Sequence, residues 1–180
     1  MELKNGRPKD LTGRDAAEIR VYDLLDRLQI PYEYVDHAAA MTMDDCAEVD
    51  AILDAVICKN LFLCNRQHTK YYLLMMPGDK KFHTAQISSQ IGSARLSFGS
   101  PEKMEELLDL TPGSVSVMGL MNDKENQVQL LMDEDIKKGE YFGCHPCRNT
   151  TSIRLSVSDL LGKVLPEMHH KPVYLTLTDE

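Results

Sequence analysis

CKNLFLCNRQHTKYYLLMMPGD, residues 58–79, places two short apolar runs on either side of a polar middle. Lys59 to Asn65 and Tyr71 to Met76 are each the length of a strand, too short for a helix of ordinary size. Pro77-Gly78-Asp79 is a turn signal that stops the second run. The segment between them, Arg66 to Lys70, is polar. The stretch reads as a β-hairpin, and the remaining elements are placed around it.

Upstream, Ile19, Tyr22, Leu25 and Leu28 recur at helical spacing, so a helix is expected over about 15–29. Thr12 to Asp15 has the spacing of a capping-box variant at its start. Pro31 disfavours helix at Ile30 and ends it. Residues 32–35 read as a strand, and Thr42 offers a cap for a helix over about 43–50. Downstream, Thr84 is placed to cap a helix through Ile91, and 95–98 is a brief strand. Ser100-Pro101 opens another helix, with proline at its first position. Met104, Leu107 and Leu108 form its buried face, and Thr111-Pro112-Gly113 ends it. Ser114 to Leu120 alternates like a strand, Asn122-Asp123 turns, and Val128 to Met132 returns, which predicts a second hairpin. Residues 152–155 are a strand, Ser156 or Ser158 caps a helix through Leu165, and 173–177 is a closing strand. Hairpins interspersed with helices predict an α/β fold. Its sheet is mixed, largely antiparallel and barrel-like, with helices around it.

A chain of 180 residues is expected to form one domain, 1–180, with 1–14 as an extension. The apolar fraction of 43% suits a globular protein that buries a core without staples. No apolar run approaches the length that spans a bilayer, and the N-terminus has no apolar signal core. A soluble, cytoplasmic protein with no membrane partner is the expectation. Its five cysteines are then reduced thiols. The net charge of −8 disfavours broad non-specific contact with nucleic acid, DNA included. It leaves room for a small site that grips one end of an RNA.

Three constellations could carry chemistry. Cys144-His145-Pro146-Cys147 has the spacing of a redox motif or half a zinc site. A structural zinc needs four ligands, and no second pair stands at suitable spacing. A redox role wants the motif at a helix N-terminus, whereas a strand is expected after it. The two thiols therefore read as small packing residues beside a loop, and no metal or cofactor is assigned. Lys59-Asn60 follows a mostly apolar run, Ala51 to Cys58. A lone lysine most often packs its stem and sends its ammonium to water. The alternative is a fixed positive charge that meets a phosphate or a developing oxyanion. Gly119 to Asp123 is by itself an ordinary turn. The glycine-rich phosphate loops, the serine elbow and the zinc-protease helix are absent from the sequence.

In order along the chain stand VDHAAAMT (35–42), CKNLFL (58–63), PGSVSVMGLMND (112–123) and HPCRNTTS (145–152). Together they resemble the YbaK/aminoacyl-tRNA synthetase-associated family, over about residues 16–178. The nearest resemblance is to its free-standing prolyl-tRNA editing members, which are Ala-tRNA(Pro) deacylases. The resemblance implies hydrolysis of an aminoacyl ester at the 3′ acceptor end of a mischarged tRNA. Lys59 falls on the family's catalytic lysine. Thr42, Asn60, Gly113, Gly119, Asp123, His145 and Asn149 fall on substrate-binding positions. On this view His145 touches the aminoacyl group and is no metal ligand. No protein nucleophile is needed, because the terminal ribose hydroxyl lies beside the ester carbonyl. Main-chain N–H groups of the Gly113–Gly119 loop would hold the oxyanion. Prolyl-tRNA synthetase is the partner that could hand over the tRNA.

Two departures qualify the match: Val117 stands where the family loop commonly has proline, and Cys147 where an aliphatic residue is usual. Alternatives are the same fold acting on Cys-tRNA(Pro) or on serine- or threonine-charged tRNA, or a non-catalytic module that binds tRNA or a synthetase.

Overall fold

The computed structural model describes residues 1–39, 41–55 and 57–179. Ala40 of the 35–42 segment, Val56 of the apolar run before Lys59, and Glu180 lie outside the described residues. In chain order the elements are β1 (Lys4–Asn5), α1 (Ala16–Arg27), β2 (Glu33–Asp36), α2 (Met43–Leu53), β3 (Lys59–Cys64) and β4 (Tyr71–Met76). Then come α3 (Thr84–Ile91), β5 (Ser97–Phe98), α4 (Pro101–Leu108), a 3₁₀ helix (Val117–Asn122), β6 (Val128–Asp133) and α5 (Glu134–Lys138). Last are β7 (Tyr141–Cys144), β8 (Thr151–Ser156), a three-part helix and β9 (Val173–Leu175). That helix runs through Val157–Asp159, a π-type turn at Leu160–Val164, and Leu165–Glu167. Among the described residues no helix is long and apolar enough to cross a membrane.

The quoted hairpin forms as read. β3 and β4 pair antiparallel from Lys59↔Met76 to Cys64↔Tyr71. Asn65 builds the loop: its Oδ1 accepts from the backbone N–H of Thr69 (2.9 Å) and Lys70 (3.1 Å). β4 is apolar throughout because both of its faces are covered. Leu73 and Met75 join the main core, while Leu74 and Met76 join the core under α3.

Most helix starts follow the caps, but α3 begins at Thr84 itself, after His83, which makes no side-chain capping bond. Ser100 accepts from Lys103 N–H and Ser156 from Asp159 N–H. α1 is capped by Asp15, whose Oδ1 accepts from Ala17 N–H, and not by Thr12. α2 has a full capping box between Thr42 and Asp45, at 3.1 and 3.0 Å. Of its residues only Val49 and Leu53 are buried. At about 1.5–3 kcal/mol for each such side chain, α2 is held on lightly.

The expected hairpin over 114–132 does not exist. Val117 to Leu120 are all buried, without alternation, in the 3₁₀ helix capped by Ser116. β6 instead pairs parallel to β4, from Tyr71↔Val128 to Met75↔Met132. Parallel neighbours need a long crossover, and α3, β5 and α4 supply it. β9 adds parallel to β6.

The fold is mixed α/β, and most of its strand pairs are antiparallel. The barrel-like arrangement takes the form of two open sheets, not one closed sheet. Their orders are β1-β2-β8-β7 and β5-β3-β4-β6-β9. They meet at a bridge between Ile57 and Gly143, where Cys58 N–H donates to Gly143 O at 2.9 Å. A Cβ on Gly143 would lie 2.5 Å from Ile57 Cδ1, so any larger residue there would force the Ile57 side chain to shift. The seam brings the start of β3 against the end of β7. Lys59 and His145 follow directly from those two strand ends.

Candidate active site

A cavity of about 540 Å³ opens at this seam. Lys59 opens β3 and Cys58 stands just before it, and His145 and Ser152 come from the β7–β8 corner. Cys46, Val49 and Asp50 come from α2, Gly78 and Asp79 from the turn after β4, and Met41 and Ile57 complete the wall. A larger groove, about 970 Å³, lies at the other end of β4 between Tyr71, Val128 and His170. It contains none of the site residues that the family resemblance implies. The seam cavity is the better candidate because an ammonium, a carboxylate and an imidazole converge in it.

Lys59 is half-buried, and its Nζ donates to Lys80 O at 2.5 Å. An ammonium has three N–H donors, so two remain for a ligand. The Lys80 carbonyl is held in turn by the Lys80 side chain. Lys80 Nζ reaches Asp133 and Asp135, each at 2.7 Å, and Leu177 O at 2.8 Å. Asp133 is buried, so this anchor fixes the turn that receives the Lys59 ammonium. Asn60 points to the other face of β3. Its Nδ2 donates to Cys58 O at 3.1 Å, and its Oδ1 is buried with no hydrogen-bond partner among the described residues. Such an orphan acceptor costs about 1–3 kcal/mol.

His145 donates from Nδ1 to Thr151 O at 2.9 Å, which leaves Nε2 as the acceptor of a neutral ring. Burial lowers its pKa below the ordinary histidine value; the Thr151 carbonyl pulls it back up and nearby His37 pushes it further down. The His37 and His145 rings lie 5.9 Å apart. His37 Nδ1 donates to Ala38 O at 3.0 Å, so its Nε2 accepts from Ser152 O–H at 2.8 Å. Ser152 Oγ also lies 3.5 Å from His145 Nδ1. The sequence showed no serine partnered with histidine; the structure supplies one. Ser152 is fully buried and its histidine rests on a carbonyl, not an acid. The pair therefore acts as a brace between the two rings.

The loop after His145 is tied down on its far side. Cys147 adopts a left-handed backbone, φ 65°, and is fully buried. Arg148 bonds Asp15, Asp109 O and its neighbour Cys147 O. Burial pushes the Cys58, Cys144 and Cys147 thiols up to about 12, so none of them is a ready nucleophile.

Several residues expected at the site lie elsewhere. Thr42 spends its hydroxyl on the α2 cap, and its neighbour Met41 lines the cavity instead. Gly113 has φ +88°, and a Cβ there would stand 3.5 Å from Asn149 Nδ2. These two expected residues are neighbours, but Asn149 opens onto a separate pocket with Arg14 and Asp36. Gly119 is packed on Leu110, where a Cβ would come within 2.6 Å. The Gly113–Gly119 segment does not line the cavity, and its Ser114, Met118 and Gly119 N–H groups bond within the segment or to Thr111. Asp123 is buried and accepts from Gln127 N–H, Val128 N–H and His170 Nε2 at 2.8–2.9 Å. It closes the turn into β6.

Sequence reading also missed cavity residues. Asp50 and Cys46 share a face of α2 at i, i+4, a spacing visible in the sequence. Ser152 sits inside the quoted segment 145–152 without a pattern of its own; His37, inside 35–42, meets the His145 ring but lines the neighbouring pocket with Arg14 and Asp36.

A largely apolar cavity that holds an ammonium and an imidazole, with no activated nucleophile among its described residues, suits hydrolysis of an already reactive ester. The family model described as "Aminoacyl-tRNA editing domain" matches residues 37–162, which contain every cavity residue. The chain belongs to this family, whose class of activity is deacylation of mischarged aminoacyl-tRNA. The prolyl-tRNA editing protein ProX of Acetoanaerobium sticklandii is 32% identical over 136 residues, covering 76% of this chain and 83% of that protein. The prolyl-tRNA synthetase associated domain-containing protein 1 of Bos taurus is 27% identical over 155 residues, covering 84% and 90%. A solved structure described as a candidate trans-editing enzyme for prolyl tRNA synthetase superposes with a TM-score of 0.66 at 17% identity. It covers 91% of this chain and 99% of its own, and it shows a shared fold.

Proposed function

We propose that this chain acts in trans, in the cytoplasm, to remove alanine from mischarged tRNA(Pro). The observation that carries the reading is the shared cavity of Lys59 and His145 at the sheet seam. The 3′-terminal adenosine and its ester enter this cavity. Lys59 faces the developing negative charge of the tetrahedral intermediate and fixes the ester near attack geometry. The neutral Nε2 of His145 accepts a hydrogen bond from the substrate. The ribose hydroxyl beside the ester positions the attacking water, so no protein base is required. Apolar walls from Met41, Val49 and Ile57 suit a small side chain. Bulk added to a close-fitting pocket is penalised by overlap, which favours alanine over proline. Prolyl-tRNA synthetase is the partner that would deliver the tRNA.

The test is a panel of Ala-, Cys-, Ser-, Thr- and Pro-charged tRNA, with release of free amino acid counted. Fast release of alanine with retention of proline supports the proposal. Preference for cysteine, serine or threonine moves the substrate while keeping the chemistry. Binding without release from any member refutes the enzymatic reading.

A further inference from the structure

The cavity holds an anion that the proposed hydrolysis does not yet use. Asp50 lies on α2, one turn after Cys46. Its Oδ1 accepts from Ile57 N–H at 3.3 Å, and this is its one recorded side-chain hydrogen bond among the described residues. No lysine, arginine or histidine among them forms an ion pair with it. Three other carboxylates of limited exposure are neutralised, Asp36 by Arg14, Glu33 by Arg154 and Asp133 by Lys80, while half-buried Asp45 is spent on the α2 cap and Glu134 on the Thr176 hydroxyl. Lys59 gives its ammonium to the Lys80 carbonyl instead of to Asp50. Burial raises the Asp50 pKa, and only the Ile57 N–H opposes that shift. One cavity thus keeps a cation and an anion that do not pair with each other. An unpaired half-buried carboxylate is costly to the free protein and is relieved by a cationic ligand.

We propose that Asp50 binds the α-ammonium of the aminoacyl group and makes a free amino group a condition for hydrolysis. The inference rests on the deacylase reading above. The α-carbon is bonded directly to the ester carbonyl carbon. A carboxylate that holds the ammonium therefore orients the ester toward Lys59. An acylated amine has no positive charge to offer, so N-blocked aminoacyl-tRNA and peptidyl-tRNA are left intact. Asp79, exposed on the rim of the same cavity, is the competing carboxylate.

The experiment compares Ala-tRNA with N-acetyl-Ala-tRNA, each rate divided by its uncatalysed hydrolysis. The parent protein, Asp50→Asn and Asp79→Asn are assayed. Asparagine keeps the Oδ1 acceptor for Ile57 N–H, and a melting curve verifies folding. The parent should prefer the free amine by about 10- to 100-fold in kcat/KM, as for a hydrogen bond to a charged group. Asp50→Asn should lose that preference by slowing the free-amine substrate while the N-acetyl substrate is hydrolysed as before. A folded Asp50→Asn that retains the parental ratio overturns the inference, as does transfer of the effect to Asp79→Asn. A parent that releases alanine from neither substrate overturns the deacylase reading itself, and this role for Asp50 with it.

Discussion

Replacing Lys59 by methionine separates catalysis from folding. Methionine keeps most of the apolar stem and removes the ammonium. The structural loss is small: one hydrogen bond, to a carbonyl in a turn that water can reach. The β3–β4 ladder, including Lys59↔Met76, is untouched. A lost hydrogen bond of this kind costs about 1 kcal/mol. In a domain of this size that lowers Tm by about 2–4 °C. The catalytic loss is larger. Removing one charged donor from an oxyanion site typically lowers kcat by about 10²–10³. Lys59→Met should therefore remain folded and deacylate Ala-tRNA(Pro) at under about one hundredth of the parental rate. Single-turnover release of alanine gives the rate, and a thermal melt followed by circular dichroism gives the stability. Lys59→Arg keeps the charge but not the compact three-donor head, and should fall between the two. A folded Lys59→Met within threefold of the parent would refute the role given to the ammonium.

Further outcomes follow from the same geometry. Ser152→Ala should slow deacylation only a few-fold and leave no trapped acyl-protein in mass spectra, because Ser152 braces the imidazoles; loss as severe as that of Lys59→Met would mean a covalent mechanism. The depressed pKa of His145 means that the unfolded chain takes up its proton more readily than the folded one. Its contribution to stability is thus present above the unfolded value of about 6.5 and is lost as pH falls below it. Urea unfolding at pH 7.5 and 5.5 should show a smaller acid loss in His145→Gln than in the parent. Gly143→Ala drives a methyl against Ile57 Cδ1 and should cost about 1–3 kcal/mol. Ile57→Val removes that Cδ1, so the double variant should be more stable than Gly143→Ala alone; simple additivity would show that the seam is not the point of strain.

What the sequence revealed and concealed has a physical pattern. The 59–76 hairpin was legible because its polar loop, its turn and its apolar runs are all local. The caps at Thr42, Ser100 and Ser156 were legible for the same reason. The alternation at 114–120 misled because Ser-Val-Ser-Val mimics a strand, while the Ser116 cap and the packing of Gly119 on Leu110 wind the segment into a 3₁₀ helix. The true partner of β6 is β4, reached by a long crossover, and no local period encodes a parallel partner. At the site, Lys59 and His145 were readable from motifs in order. Asp123 is an acid in a turn by sequence; only folding brings it the buried His170. Asp50, Ser152 and His37 gain meaning only where α2, β2 and β8 converge.

The most direct test of the cavity itself uses Cys46. It is the exposed cysteine of α2 and lines the cavity, whereas Cys58, Cys64, Cys144 and Cys147 are buried. Its alkylation by iodoacetamide should be followed by mass spectrometry with and without a tRNA bearing a non-hydrolysable 3′-alanylamide. At analogue concentrations that abolish deacylation, alkylation of Cys46 should slow at least tenfold, and uncharged tRNA should protect it less. Unchanged labelling of Cys46 under full inhibition would place the aminoacyl end somewhere other than the Lys59–His145 cavity.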